Sequence, residues 1–158
     1  MTAPRAALGP AAGYLPHRPP MLLIDEVLEV TDRIGVCRTT IHPDCVFAID
    51  GRVHPSAMIE FVAQTCAIAV GVLAARQGDP PRLGMIMACR EVSFAVDHFD
   101  VGDELTITVT KAFGQKMMAA FTGTVVRGGE VCTTIQLSVA DAELAGTPPA
   151  SPGHGDEG

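Results

Sequence analysis

The segment formed by residues 55–77 is the longest apolar stretch of the chain and constrains its fold most strongly. Polar side chains are almost absent from it, and a helix that is apolar all round is buried all round. Such a helix would be about 35 Å long, which is enough to span a membrane. Glu60 and Gln64 lie inside it, however, and a carboxylate that faces lipid is costly. The segment therefore predicts a core helix and no membrane span.

The chain on both sides of this helix has the alternating pattern of β-strands. Strands are predicted in residues 21–31, 35–41, 83–96, 104–112, 116–127 and 130–139. Gly128 and Gly129 lie between the last two and predict a hairpin. Residues 42–54 read as an irregular loop that leads into the helix. This order predicts an α+β fold in which one sheet curls around the helix, and a second chain, identical or related, completes the burial.

Length and composition restrict the class of protein. A chain of 158 residues makes one domain, and we predict a flexible N-terminus over residues 1–13, a domain over 14–140 and a disordered tail over 141–158. A net charge of −7 argues against nucleic-acid binding. The five cysteines are widely spaced, without a CxxC pair. We therefore expect reduced thiols in a cytoplasmic protein, with neither a disulfide framework nor a metal site.

Glu60 is the residue of the helix that most needs an explanation. It shares one helix face with Gln64, one turn away. A carboxylate on a buried helix needs a partner or a proton, although an acid near a helix N-terminus also benefits from the helix dipole. Acids in unusual surroundings cluster at active sites. We therefore predict a catalytic role for Glu60 and a supporting hydrogen bond from Gln64.

Two motifs carry a resemblance to a known family. Residues 15–27 read LPHRPPMLLIDEV and residues 59–65 read IEFVAQT, with a weaker match in residues 95–105, AVDHFDVGDEL. Together they resemble the 3-hydroxyacyl-acyl-carrier-protein dehydratases of the hotdog fold, in which a curved antiparallel sheet wraps around one long central helix. The resemblance implies dehydration of a 3-hydroxyacyl thioester to the trans-2-enoyl thioester. It also implies a substrate carried on the phosphopantetheine of acyl carrier protein, with no other cofactor.

The chain departs from the fatty-acid enzymes of that family at one motif. Their Gly-His-Phe-Pro segment supplies the catalytic histidine, and its place here falls on Val46. The chain is more similar to the divergent ApeP-like branch, dehydratase-like proteins of aryl polyene pigment clusters, in its Pro-His-x-x-x-Met and Ile-Glu-x-x-Ala-Gln segments. The glycine whose N–H would polarise the thioester carbonyl falls on Pro55, which has none. The N–H of Ser56 or Ala57 is expected to replace it.

The chemistry needs a base for the proton next to the carbonyl and an acid for the departing hydroxyl. The resemblance puts His17 first as the base and Glu60 as the acid. Other histidines that compete for the role of base are His54 beside the helix start, His42 in the preceding loop and His98 in a turn. Arg18 and Arg52 are candidates to contact phosphopantetheine, although exposed arginines are more often simply solvated.

Some assignments stay open from the sequence. Four methionines line either an acyl tunnel or the core: Met85, Met87, Met117 and Met118. The hotdog fold also hosts thioesterases, in which Glu60 would activate water, so the fold alone does not choose between the two reactions. A third alternative is a non-catalytic subunit that partners an active dehydratase. We expect acyl carrier protein as one partner, and a homodimer or a heterodimer with another hotdog dehydratase.

Overall fold

The structure is a computed structural model that describes residues 7–80, 82–115 and 118–142. Its elements in chain order are β1 (Gly9–Pro10), β2 (Glu26–Val30), β3 (Ile34–Thr40), β4 (Ala48–Ile49), β5 (Arg52–Val53), α1 (Met58–Arg76), β6 (Gly84–Phe94), β7 (Phe99–Asp100), β8 (Glu104–Gln115), β9 (Met118–Arg127) and β10 (Glu130–Asp141). The long helix and all six longer strands lie where the sequence predicts them. The α+β assignment is therefore confirmed.

The central helix begins and ends at local signals. A 3-10 turn, Pro55–Ala57, leads into α1, and Pro55 takes a first-turn position where its missing N–H does no harm. The side chain of His54 caps this turn by accepting from the N–H of Ser56. The helix ends at Gln77, and Gly78 follows with a φ of +83°, a left-handed conformation that suits glycine.

Seven strands form one antiparallel sheet in the order β1-β2-β3-β8-β9-β10-β6, and β4, β5 and β7 form a second, small sheet. The hairpin between β9 and β10 turns at Gly128 and Gly129, whose φ values of +59° and +82° are those a tight hairpin turn requires. The predicted hairpin is thus confirmed. The large sheet curves around α1, which contacts β2, β3, β8, β9 and β10.

Two glycines let the sheet approach the helix closely. A Cβ atom on Gly123 would lie 2.3 Å from Cγ1 of Val62, and one on Gly35 would lie 2.8 Å from Cβ of Ala69. Neither position tolerates a side chain without movement of the helix or the strand. Because these two glycines have no side chains, α1 packs closely against β9 near its N-terminal end and against β3 further along.

One face of α1 is open to solvent, as expected if a second chain completes the burial of the helix. Val70 is 50% exposed, and Ala63 and Ala67 are only partly buried. The helix is long and apolar enough to cross a membrane, but most of it is buried inside the sheet. It is a core helix whose remaining face is left open by the residues that the structure describes.

The segments next to the predicted elements differ in detail. Residues 7–13, which the sequence predicts to be flexible, contain β1 and a 3-10 turn with Ala11 fully buried. The first long strand begins at Glu26 and not at residue 21, because side chains of the core bond the backbone of the preceding residues. The predicted tail beyond residue 142 lies outside the described residues, and the division into regions stays a prediction.

Strand β6 forms one edge of the large sheet and is exposed on both of its faces. It pairs with β10 along one side only, within the part of the chain that the structure describes. Its exposed apolar side chains are Met85, Ile86, Met87, Val92 and Phe94. A long, apolar, unpaired edge strand is a template for pairing with another chain. The β6 edge is therefore the part of the fold that most needs a partner.

Substitution of Gly123 by alanine tests the close approach of helix and sheet. We expect Gly123→Ala to lower the free energy of unfolding by about 1–3 kcal/mol, because the new methyl group overlaps Val62. Chemical denaturation measures the change. Gly13→Ala is the matched control, since nothing lies within 4 Å of its added Cβ. If the clash is the cause, Gly123→Ala combined with Val62→Ala costs less than the sum of the two single changes.

Candidate active site

An open groove of about 420 Å³ runs between α1 and the sheet. The floor is a row of small residues on one face of the helix: Ala63, Ala67, Gly71 and Ala74. The ends of β6, β9 and β10 and the inner face of β8 supply the opposite wall. Three polar residues, His17, Glu60 and Gln64, lie along the same groove. The structure thus brings the two motifs of the sequence together at a single concave site.

Gln64 holds this site together. Its side chain is 1% exposed and makes three hydrogen bonds. Its Oε1 accepts from the N–H of Leu23 at 2.9 Å, and its Nε2 donates to the carbonyl of Met21 at 2.7 Å and to Oε1 of Glu60 at 2.9 Å. Because the N–H of Leu23 requires an acceptor, the oxygen and nitrogen of the Gln64 amide cannot be exchanged. Gln64 therefore acts as a donor toward Glu60, in agreement with its predicted supporting role.

The carboxylate of Glu60 is oriented by that donor. Its side chain is about one-quarter exposed, and it lines the groove beside Ala63. Oε1 accepts the hydrogen bond from Gln64. No hydrogen bond to Oε2 is formed by the residues that the structure describes. The carboxylate is fixed in position while one of its oxygens is kept available for chemistry.

His17 faces Glu60 with one nitrogen and the protein interior with the other. Its Nε2 lies 3.9 Å from Oε1 of Glu60. Its Nδ1 is buried and has no hydrogen-bond partner among the described residues. This buried nitrogen lacks a partner whether it is a donor or an acceptor. We assign the proton of the neutral ring to Nε2, so that the ring offers an N–H on the side of the carboxylate.

Arg18 fixes the loop that carries His17. Its Nη1 donates to the carbonyl oxygens of Leu15 at 2.9 Å and of His17 at 2.7 Å. Arg18 does not line the groove. The structure thus gives this arginine a place in the loop itself, apart from the groove where a phosphopantetheine arm would lie. Arg52, the other predicted phosphate ligand, lies on the surface with its Nε 3.9 Å from Asp100.

The start of the helix does not offer the N–H groups that the sequence led us to expect. The N–H of Ser56 donates to Nδ1 of His54 at 3.2 Å, and the N–H of Ala57 donates to the carbonyl of His54 at 3.0 Å. The hydroxyl of Ser56 also lies 2.8 Å from that Nδ1. None of these three residues lines the groove. Both donors are used within the turn, so the structure gives no support to the expectation that Ser56 or Ala57 polarises the thioester carbonyl.

The remaining histidines are occupied elsewhere. Nε2 of His42 lies 2.9 Å from Oδ1 of Asp25, and Nε2 of His98 lies 3.6 Å from Asp100. Neither histidine lines the groove that holds Glu60. Among the histidines that the structure describes, His17 alone shares that groove with the carboxylate.

The methionines divide between the groove and other surroundings. Met85 and Met118 line the groove, whereas Met87 lies on β6 outside it and Met117 falls outside the described residues. Lys111 also lines the groove and was missed from the sequence. The alternation of β8 contained the signal, since Leu105, Ile107 and Val109 occupy the buried face that Lys111 continues.

The cysteines are free thiols, and two of them lie deep in the core. Burial raises the pKa of Cys37 to about 12 and also raises the pKa of Cys66. A thiol that is not ionised is a poor nucleophile. Within the described ranges, no three histidine, cysteine or acidic side chains lie close enough together to hold a metal ion. Cys37 and Cys66 therefore contribute packing, and none of the five cysteines lines the groove.

Comparison with known proteins agrees with this geometry. Residues 9–147 match the family model described as ApeP-like, ApeP dehydratase. The chain belongs to the ApeP-like dehydratase family. The resemblance seen in the two motifs is thereby confirmed, and the match extends across both of them and the whole sheet. No curated protein matches the chain in sequence.

Solved structures give the fold. A dehydratase heterocomplex, ApeI:P from Xenorhabdus doucetiae, contains a chain 26% identical to this one, with a TM-score of 0.81, over 87% of this chain and 98% of that one. A hypothetical thioesterase with coenzyme A from Streptococcus pneumoniae is 13% identical, with a TM-score of 0.58, over 74% and 87% of the two chains. Thioesterase superfamily member 2 of zebra fish is 14% identical, with a TM-score of 0.56, over 74% and 80%. The hotdog fold is therefore established, and the two thioesterases share only the fold.

Removal of the Gln64 amide tests its part in the structure. We expect Gln64→Leu to lower the free energy of unfolding by about 1–3 kcal/mol, because it leaves the N–H of Leu23 buried without a partner and removes a part-buried hydrogen bond to the carbonyl of Met21. Urea denaturation measures the loss. Gln136→Leu is the control, since this glutamine is exposed and bonds only Glu91, and it should change stability by less than about 0.5 kcal/mol. An equal loss of stability in the two variants would contradict the structural role that we assign to the Gln64 amide.

Proposed function

We propose that the chain dehydrates a 3-hydroxyacyl thioester, carried on acyl carrier protein, to the trans-2-enoyl thioester, in fatty-acid or aryl-polyene-type synthesis. The observation that carries the proposal is the oriented Glu60 carboxylate, which faces His17 in an apolar groove, in a member of a dehydratase family. The small residues of α1 leave space along the groove for an acyl chain. The elimination uses side chains and the phosphopantetheine thioester, with no further cofactor.

In the proposed mechanism Glu60 is the base, and the role of base that the resemblance gives to His17 is set aside. Oε2 of Glu60 takes the proton from the carbon next to the carbonyl, and the electron pair of that C–H bond moves into the enolate. Nε2–H of His17 donates to the thioester carbonyl oxygen, where the negative charge develops. A neutral imidazole is known to act as an electrophile in this way. It replaces the N–H donors at the helix start, which are used within their own turn.

The second half of the reaction returns the proton. The enolate re-forms the carbonyl, the carbon–carbon double bond forms, and the bond from the β-carbon to the hydroxyl breaks. Glu60 protonates the departing hydroxyl, which leaves as water, so the carboxylate ends ionised as it began. The hydrogen bond from Gln64 to Oε1 supports this exchange because it holds the carboxylate still while Oε2 carries the proton.

We further propose that a second hotdog chain covers the β6 edge and the open face of α1. The support is the apolar, unpaired length of β6 and the exposure of Val70 on the helix. Met85 and Ile86 belong to both β6 and the groove, so a chain paired at β6 would also wall the groove. The related ApeI:P structure is a heterocomplex of dehydratases, which favours a heterodimer over a homodimer for this chain.

A cytoplasmic location follows from the same proposal. Acyl carrier protein supplies the substrate inside the cell, and the five free cysteines are compatible with a reducing compartment.

One other function has a specific observation in its favour. This chain lacks the histidine of the Gly-His-Phe-Pro motif. The related chain from Xenorhabdus doucetiae is part of a dehydratase heterocomplex. A subunit that binds acyl chains for an active partner would show both features. A thioesterase is supported only by structures that share the fold at low identity.

Intact mass spectrometry of a 3-hydroxyacyl carrier protein, incubated with the purified chain alone and with a co-expressed hotdog partner, tests the reaction. We expect the acyl group to lose one water, and we expect Glu60→Gln to slow this loss by about 100-fold or more, because the base is removed. His54→Gln is the control, since His54 lies outside the groove. Loss of the whole acyl group would identify a thioesterase, and unchanged turnover in Glu60→Gln would overturn the mechanism or identify a non-catalytic subunit.

Two substitutions of His17 separate the roles of donor and base. The amide nitrogen of glutamine can take the position of Nε2–H, whereas alanine has no donor. If His17 is a donor, His17→Gln keeps turnover within about tenfold of the parent, and His17→Ala lowers it by about 100-fold. If His17 is the base, both variants lose activity to the same extent. Circular dichroism of each variant establishes that it is folded.

The partner surface is tested by a charge on the edge strand. We expect Met87→Lys to abolish pairing at β6, because it places an ammonium group in an apolar interface. Light scattering then reports the mass of a single chain, and the co-expressed partner no longer co-purifies. Phe113→Lys is the matched control, because Phe113 on β8 is as exposed as Met87 (59% against 52%) but lies away from the edge. A chain that is monomeric with and without a partner would contradict this assignment.

A further inference from the structure

Lys111 carries a charge into the groove from the buried face of β8. Alternate residues of a strand point to the same face, and Leu105, Ile107 and Val109 on this face are fully buried. Lys111 is the next residue in the row, and it lines the groove. Lysine is almost never fully buried unless its charge has a partner, and Lys111 is half-buried. A half-buried ammonium is compensated by water or by an anion that displaces the water.

The chain itself does not supply that anion within the residues that the structure describes. The other cation of the groove, Arg82, lies with its Nη1 3.1 Å from Oδ2 of Asp141. No comparable ion pair or side-chain hydrogen bond involves the ammonium of Lys111 in these ranges. Among the described residues the ammonium of Lys111 thus forms no ion pair, although Glu60 and Asp141 line the same groove.

Gly114 makes room for this lysine. A Cβ atom on Gly114 would lie 2.3 Å from Cε and 2.9 Å from Nζ of Lys111. The end of the lysine side chain therefore lies against the backbone of Gly114, in space that any larger residue would occupy. Strand β8 thus supplies both Lys111 and the space that its side chain occupies.

The lysine and the carboxylate lie at different levels of the helix. Strand β8 crosses α1 between Val62 and Ala69, the two helix residues against which its neighbours β9 and β3 pack. Glu60 lies about 8 Å along the helix axis from the middle of this crossing, and Lys111 lies about 7 Å along the strand from it. A ligand that reaches both groups must therefore be extended, with its reacting carbons at Glu60 and a remote end near Lys111.

We propose that Lys111 forms an anion subsite of the groove and binds a phosphate or carboxylate at the remote end of the thioester ligand. The inference rests on the proposed function, because it takes the bound thioester as the ligand. An ammonium on a flexible stem suits such a group as a point charge. The chain carries a net charge of −7 and does not attract anions at long range, so a local cation has to do so.

Two parts of a thioester ligand can carry the anion. One is the phosphate of phosphopantetheine, and the other is a carboxylate at the far end of the acyl chain. Three probes distinguish them: 3-hydroxyoctanoyl-phosphopantetheine, 3-hydroxyoctanoyl-pantetheine, and the pantetheine thioester whose octanoyl chain ends in a carboxylate. Only the first and the third carry an anion, and they carry it on opposite sides of the thioester.

Calorimetry with the full chain, assembled with its partner where one is required, measures the binding of these probes. The Glu60→Gln background prevents their conversion. We expect one anionic probe to bind about tenfold more tightly than the neutral probe, and Lys111→Met to remove that difference. Lys111→Arg keeps the charge and retains the preference. Arg33→Met removes one positive charge outside the groove and leaves the preference unchanged.

The outcomes separate this inference from the proposed function. Equal binding of the three probes, binding of none, or a preference that survives Lys111→Met overturns the subsite. Tighter binding of the phosphate or of the carboxylate probe, lost in Lys111→Met, supports it and identifies the source of the anion. Turnover is measured separately with Glu60 intact. Dehydration without any effect of Lys111 on binding overturns the subsite and leaves the proposed function standing. An anion preference that depends on Lys111, without dehydration, supports the subsite and overturns the proposed function.

Discussion

The buried amide of Gln64 is the interaction on which the site depends. It joins the backbone of Met21 and Leu23, in the segment before β2, to Glu60 on α1. These groups are far apart in the sequence, and the N–H of Leu23 would be a buried polar group without a partner if the amide were absent. One side chain thus satisfies two backbone groups and orients the carboxylate. The position of the proposed catalytic group is for this reason tied to the docking of the helix on the sheet.

The loop that holds His17 depends on backbone carbonyls in a similar way. Arg18 ties together the carbonyls of Leu15 and His17, and the buried Nδ1 of His17 leaves the ring only one nitrogen that can face the groove. The arrangement places the other ring nitrogen next to a carboxylate. This is the physical reason why we transfer the role of base from His17 to Glu60 and keep Glu60 as the acid.

Some of this arrangement was accessible from the sequence because it is local. The spacing of Glu60 and Gln64 places them on one helix face, and periodicity located α1 and the longer strands. Other features depend on contacts that no spacing reveals. The N–H of Ser56 is occupied because the side chain of His54 folds back onto it, and the Nδ1 of His17 is buried without a hydrogen-bond partner among the described residues. Lys111 is the exception, since the pattern of β8 was sufficient to find it.

Strand β6 lies at the edge of the sheet and also contributes to the wall of the groove. Met85 and Ile86 line the groove, while Met87 and Val92 extend along the same exposed strand. A substitution in this strand therefore acts on two properties at once, and neither can be altered by evolution without consequences for the other. A lineage that exchanged its partner chain would also reshape the space offered to the ligand. Diversity among such proteins should then arise through paired changes in two genes, with the mutations concentrated on facing edge strands.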